Sequence, residues 1–209
     1  MKVTIAKRIP AMAGLGGGSS DAVATLRGLN LYHGQPYTNE DLTVVAEKLG
    51  SDCPFFLHDG IGHAIGRGEK VRIIPGTEQN EINGQRIFLF QPPIGFSTPL
   101  IYKALAENGS YSDPCWANKV VQEWEAGERS VPDFCHNDFE SVLLSKYLFL
   151  KPIFEELRDC FGLSFQVSGS GSSCFCFVSE GVDERPVRNF ISRSLGLEAS
   201  FWVSRIRLN

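Results

Sequence analysis

Apolar positions recur along this chain with two different periods. Ala22, Val23, Leu26 and Leu29 share one face at helical spacing and predict a helix over 19–31. Asp21 falls in its first turn, and Gly34 and Pro36 end it. A second helix is predicted over 39–49. Thr38 is its N-cap, Asp41 completes a capping box, Leu42, Val45, Ala46 and Leu49 form its buried stripe, and Gly50 stops it. Short apolar runs predict strands at Val3–Ile5, ended by Pro10, and at His63–Ile65 and Val71–Ile74 around the turn Gly66-Arg67-Gly68.

Further along, Arg86–Phe90 reads as a strand ended by Pro92-Pro93. A short helix follows from Thr98 to Ala106, with Pro99 at its first helical position. The stretch 108–133 is irregular apart from a helix over 117–124. One long helix is predicted over 139–161, with Val142, Leu143, Ile153, Phe154 and Leu157 in the core. Strands at 164–167 and 174–178 then flank a glycine-serine loop, and a helix over 186–195 and a strand over 199–206 close the chain. The second half thus runs β-α-α-β-β-α-β. That order implies an α+β layer with helices on one face of an antiparallel sheet, close to a ferredoxin-like arrangement. The polar, turn-rich stretch Pro75–Gly84 is the expected boundary between domains 1–80 and 81–209. No internal repeat is visible.

Composition narrows the classes. The chain has 209 residues, 43% hydrophobic and 21% charged, values of a globular protein rather than a disordered one. A net charge of -4 gives no field suited to a nucleic-acid backbone. Six cysteines without a CxxC pair suggest reduced, mostly buried thiols and neither a disulfide framework nor a zinc site. Cys174 and Cys176, two apart on a strand, are expected on one face. No stretch reaches the roughly 20 apolar residues of a membrane span, and MKVTIAKRIP lacks the apolar core of a signal peptide. The expectation is a cytoplasmic protein that binds neither membrane nor nucleic acid.

The chemistry centres on Pro10–Ala22, P-A-M-A-G-L-G-G-G-S-S-D-A. It is a glycine loop leading into a helix, and the glycines at 14–18 are expected to lie outside regular structure. Glycines let the backbone approach a ligand, and a helix start offers unpaired N–H donors with a partial positive charge; together they make a phosphate cradle. It is not a P-loop, because no Lys follows the glycines. It is not a dinucleotide fingerprint either, because Ser19 stands where the third glycine belongs. Two further segments attract notice. Gly50-Ser51-Asp52-Cys53-Pro54 offers a carboxylate at a loop, which serves either as a proton acceptor or as a plain turn residue. Val167–Ser173, V-S-G-S-G-S-S, is either a hairpin loop or a second glycine loop that closes over phosphates. His33, His58 and His63 read as structural or solvent-facing, and His136 as a hydrogen-bonding residue near Asn137.

The order of these three segments resembles the GHMP kinases (galactose, homoserine, mevalonate and phosphomevalonate kinases). Within that superfamily, K-R-I-P-A-M-A-G-L-G-G-G-S-S-D-A followed by L-G-S-D-C-P-F-F is similar to the diphosphocytidyl-methylerythritol kinase family. Gly66-Arg67-Gly68-Glu69, Ser97-Thr98-Pro99, His136-Asn137-Asp138-Phe139-Glu140 and Ser168-Gly169-Ser170-Gly171 extend the similarity. The resemblance implies a two-domain fold. The N-terminal ATP-binding domain would be ribosomal S5 domain 2-like and the C-terminal one ferredoxin-like. It also implies ATP with Mg²⁺, and transfer of phosphate to the methylerythritol hydroxyl of a cytidine-diphosphate-linked substrate in isoprenoid synthesis.

By the same resemblance, Pro10, Ala11, Met12, Ala13, Gly14, Leu15, Gly16, Gly17, Gly18, Ser19 and Ser20 would wrap the ATP phosphates, with Lys7 nearby. Asp52 would be the catalytic carboxylate. Thr98 and Tyr102 would contact substrate, Tyr102 by stacking on cytosine, and Gly169, Ser170, Gly171 and Ser172 would support the phosphate loop. Ser19 or Ser20 would touch Mg²⁺ or cap the helix; no metal ligand follows firmly. A monomer or homodimer is expected.

The similarity begins at the strand before the glycine loop. The family's earlier strands and lysine have no counterpart among these residues. The N-terminal domain is therefore expected to be incomplete, with a bare strand edge, exposed apolar side chains and little turnover from these 209 residues alone. The alternatives are another GHMP kinase, of homoserine or mevalonate type, and a non-catalytic nucleotide-binding fragment.

Overall fold

The computed structural model describes residues 2–74, 82–108, 111–113, 115–126, 128, 135–196 and 199–206. They fall into two compact units. One takes 2–11 and 16–74 of the described residues, and the other takes 12–15 and 82–206.

The first unit is built on two helices, α1 (Gly17–Tyr32) and α2 (Asn39–Leu49), a 3-10 turn (Pro54–Leu57) and a hairpin of β1 (Gly62–Ile65) with β2 (Lys70–Ile73). Its core is Val23, Leu42, Ala46, Cys53 and Leu57. Helix α2 spans the predicted residues, and its capping box is formed in both directions between Thr38 and Asp41. Only Leu42 and Ala46 of its expected stripe are buried. Val45 and Leu49 are exposed, because the helix meets neighbours along one narrow line.

Three further expectations for this unit need correction. Val3–Ile5 is not a strand: no described residue pairs with it, and a strand exists only by its hydrogen-bonded neighbour. Both apolar side chains are exposed, as are Leu31 and Tyr32. Helix α1 starts two residues early, so Gly17 and Gly18 are helical. The glycines carry the helix back from Ser19 to Gly17, with Gly16 as a left-handed N-cap. Asp21 consequently lies beyond the first turn.

The second unit holds β3 (Arg86–Gln91), α3 (Thr98–Asn108), α4 (Trp116–Glu125), α5 (Phe139–Lys146), α6 (Leu150–Phe161), β4 (Gln166–Val167), β5 (Cys174–Val178), α7 (Glu184–Leu195) and β6 (Ser200–Arg205). Its sheet has the order β4-β5-β3-β6 with every pair antiparallel, which is the ferredoxin-like order. Four helices separate β3 from β4, because the last of the three expected there is divided in two. Period-two alternation turns Phe88, Phe90, Cys174, Cys176, Val178 and Phe201 to one side. There they meet Leu150, Ile153 and Leu157 of α6 and Val187 and Ile191 of α7.

The single helix expected over 139–161 is two helices, broken at Tyr147. The Tyr147 ring stacks on Phe96 with centroids 3.7 Å apart, and the chain restarts at Leu150 with Pro152 in the first turn, where no N–H is needed. All six cysteines are free thiols. Cys53, Cys174 and Cys176 are buried, Cys135 is half-buried, and Cys115 and Cys160 are exposed, so only half of the thiols are buried as expected. Burial pushes the Cys174 thiol well up and the Cys176 thiol to about 12, leaving both inert.

Candidate functional site

The glycine loop divides between the two units, with Met12–Leu15 in the second and the residues from Gly16 onward in the first.

In the second unit, the carbonyls of Met12, Ala13 and Gly14 are all taken by one other loop. Ser172 N–H donates to Met12 at 3.2 Å, Ser173 N–H to Ala13 at 3.0 Å, and the Ser168 hydroxyl to Gly14 at 2.8 Å. Gly14 sits at φ 71°. A Cβ there would lie 2.1 Å from the Ser168 carbonyl oxygen and 2.8 Å from that of Gly171, so this close approach demands glycine. Met12 has φ 56°, uncommon for a residue with a side chain, and its thioether lies over Gly95. The supporting loop is itself packed from behind: a Cβ on Gly171 would lie 2.2 Å from the Phe96 ring. Gly169, Ser170, Gly171 and Ser172 are thus brought against the first half of the glycine loop. Thr98 joins them through a 2.8 Å hydroxyl pair with Ser170. Tyr102 is exposed, with its ring edge-on to Phe139 at 4.7 Å.

In the first unit, Gly16 is the N-cap of α1 at φ 64°, with no side-chain cap. Neither Ser19 nor Ser20 caps the helix; Ser20 donates its hydroxyl to the Gly17 carbonyl at 3.0 Å, one turn back. The second half of the loop is crowded by apolar groups. A Cβ on Gly16 would lie 2.8 Å from the Phe56 ring and one on Gly17 2.7 Å from Ile9, whereas Gly18 faces open space. Lys7 pairs with Asp21 at 2.5 Å. Both side chains are partly exposed, so the pair serves to orient Lys7 beside the helix start more than to stabilise the fold. Pro10 and Ala11 lead into the loop without regular structure.

Asp52 is exposed, in the turn between α2 and the 3-10 turn. A Cβ on Gly68 would come within 3.6 Å of its Oδ1. The next residue, Cys53, is in the core with Val23 of α1, and Phe56 lies against Gly16. The short segment that carries Asp52 is therefore packed on the start of α1. Sequence reasoning gave no role to Phe56 or to Asp21. Both stood within the quoted motifs, Asp21 also as a first-turn charge, but nothing local showed what either would touch.

A polar cluster lies at the start of α5. His136 Nε2 is 2.7 Å from the Ser112 hydroxyl and 2.8 Å from Asp138 Oδ1, and the Ser112 amide donates to Asp138 Oδ2 at 3.1 Å. Asp138 is held below the usual carboxylate range. Partial burial would raise it, and the Ser112 hydroxyl and amide together with His136 outweigh that. Glu140 moves the other way, raised by burial against the weaker pull of the Val167 amide and His136.

Residues 1–60 match the family model of the GHMP kinases N terminal domain, and residues 117–196 that of the GHMP kinases C terminal domain. The chain belongs to the GHMP kinases. It is similar to the 4-diphosphocytidyl-2-C-methyl-D-erythritol kinase of Pseudothermotoga lettingae, 33% identical over 86% of this chain and 63% of that protein. The enzyme of the same name from Listeria monocytogenes is 35% identical over 86% of this chain and 59% of its own length. A crystal structure of 4-(cytidine 5'-diphospho)-2C-methyl-D-erythritol kinase superposes with a TM-score of 0.68 at 29% identity, covering 94% of this chain and 67% of that one. The chain thus spans about three fifths of the length of the curated relatives it matches.

Proposed function

We propose that the chain serves ATP-dependent phosphorylation of 4-diphosphocytidyl-2-C-methyl-D-erythritol at its 2-hydroxyl, a step of isoprenoid synthesis, in the cytoplasm. The observation that carries the reading is the segment bearing Asp52 packed on the glycine-capped start of α1, with Phe56 against Gly16. In this reading the Asp52 carboxylate would stand beside phosphates held at the start of α1.

The nucleotide fits the residues present. Gly16, Gly17 and Gly18 bring a side-chain-free backbone to a helix N-terminus, where first-turn amides have no intrahelical acceptor. Pro10–Ser20 would hold the ATP phosphates, with Lys7 adding positive charge. Among the described residues no group of three or more His, Cys, Asp or Glu forms a ready metal site. A Mg²⁺ ion would therefore be held chiefly by phosphate oxygens, where it neutralises charge on the transferring group.

Asp52 would orient the acceptor hydroxyl and take its proton as the new P–O bond forms and the bond to the β-phosphate breaks. A carboxylate is a weak base for an alcohol, so positioning supplies most of the effect. Thr98 and Tyr102 would contact the cytidine-linked acceptor, and Gly169–Ser172 would hold the phosphate loop from behind. Residues 1–80 would form the ATP-binding domain and 81–209 the C-terminal domain.

The test offers γ-labelled ATP with three acceptors: the cytidine-diphosphate-linked polyol, homoserine and mevalonate. Label should reach the first alone, at low turnover, and Asp52→Asn should lower that transfer by about 100-fold or more while leaving ATP binding intact. Equal labelling of all three acceptors, or an unaffected Asp52→Asn protein, would end this assignment.

A further inference from the structure

The Asn137 side chain is committed entirely to neighbouring backbone. Its Nδ2 donates to the carbonyls of Val167 and Gly169, each at 2.8 Å, and its Oδ1 accepts from the Phe139 amide at 3.1 Å. A carboxamide carries two N–H donors on one end and an acceptor on the other, so only this orientation satisfies two carbonyls and one amide. Three residues on, the Glu140 carboxylate feels the Val167 amide, which pulls its pKa down against the stronger effect of burial. Val167 lies in β4, at the edge of the four-stranded sheet. Its outward C=O is therefore met by the Asn137 side chain at the start of α5, where a fifth strand would otherwise pair.

What this clamp secures is the root of the supporting loop. Immediately after Val167, the Ser168 amide closes the loop onto the Ser173 carbonyl at 2.8 Å. The same loop then takes the carbonyls of Met12, Ala13 and Gly14. A continuous path of hydrogen bonds thus runs from Asn137 through residues 167–173 to the backbone of the glycine loop. All of it lies within one unit.

We infer that Asn137 is a positioning residue: its carboxamide fixes the 168–173 loop and, through it, the backbone of Met12–Gly14. The consequence for nucleotide rests on the phosphate-binding reading of the glycine loop; the clamp itself does not. Donor chemistry, rather than bulk, is what the site asks of Asn137. Aspartate has the same shape but would set a carboxylate against two carbonyl oxygens, whereas alanine merely leaves them unpaired.

The test compares Asn137→Asp, Asn137→Ala and Asn137→Ser by hydrogen exchange and by binding of Mg²⁺-ATP. Amides of Ser168, Ser172 and Ser173 should exchange roughly tenfold faster or more in the Asp variant, less so in Ala and least in Ser, while strand amides at 87–90 stay protected. Nucleotide affinity should fall in the same order. Unchanged exchange over 168–173 would overturn the inference, as would an Ala variant worse than Asp, which would assign Asn137 to packing. Loosened exchange with intact affinity in a nucleotide-binding protein would also overturn it. A wild-type chain that binds no ATP would remove the phosphate reading and leave the exchange result to decide the clamp. Should the Asp variant fail to fold, the order of Ala against Ser decides.

Discussion

Ser168 and Gly14 stand 154 residues apart in sequence, yet the Ser168 hydroxyl donates to the Gly14 carbonyl at 2.8 Å, and the Ser168 carbonyl occupies the space a Gly14 side chain would need. Two glycine-rich loops far apart in sequence form one contact, largely backbone to backbone. All three atoms nearest to a side chain at Gly14 belong to backbone, so none can swing aside.

Gly14→Ala should therefore be costly, by about 2 kcal/mol or more, since it adds a clash to a left-handed φ. Gly18→Ala is the matched control. It lies in α1 with open space where a Cβ would go, and alanine there should be neutral or stabilising by up to about 1 kcal/mol. Denaturant unfolding of both variants measures the difference. Equal effects would show that the contact with the 168–173 loop is dispensable.

Asp138 makes a pH-dependent contribution of definite sign. Its folded pKa is depressed, with burial opposing and the Ser112 and His136 hydrogen bonds prevailing. The stabilisation is thus present above the ordinary carboxylate value of about 3.9 and is lost as pH falls through the lower folded value. Asp138→Asn should be less stable than the parent at pH 7, and the gap should close in acid. A gap that is constant with pH would mean that the charge contributes nothing.

Glu140 should behave in the opposite sense. Burial raises its folded pKa, so the folded state holds this proton more tightly than the unfolded chain does. Stability from this group is complete below the ordinary glutamate value of about 4.3 and declines as pH rises through the raised folded value. Glu140→Gln keeps an oxygen for the Val167 amide and removes the buried charge. Relative to the parent, it should gain stability on going from acid to neutral pH, as followed by thermal unfolding across that range. A relative loss at neutral pH would show that the ionised carboxylate is favourable where it sits.

Helix α2 was legible in the sequence from Thr38 to Gly50, because its signals are local: a capping box closes over three residues and a glycine stop acts on the last turn. The β1–β2 hairpin and the strands β3, β5 and β6 were legible too, through short-range turns and alternation. The glycine loop was legible as a glycine-rich turn running into a helix. The break at Tyr147 was not legible, since it is set by a ring stacked on Phe96, some fifty positions upstream; the nearest local hint was Pro152.

The sequence likewise quoted Asn137 without giving it a task. Its partners are backbone atoms of Val167 and Gly169, and only the folding of β4 to the sheet edge brings them within reach. Residue order by itself determined helix α2, the β1–β2 hairpin and the glycine-rich make-up of the loop before α1, because each depends on groups a few positions apart. Tertiary structure alone decided which carbonyls of that loop are held, and by what, because a hydrogen bond is blind to sequence separation and forms wherever the sheet order sets donor against acceptor.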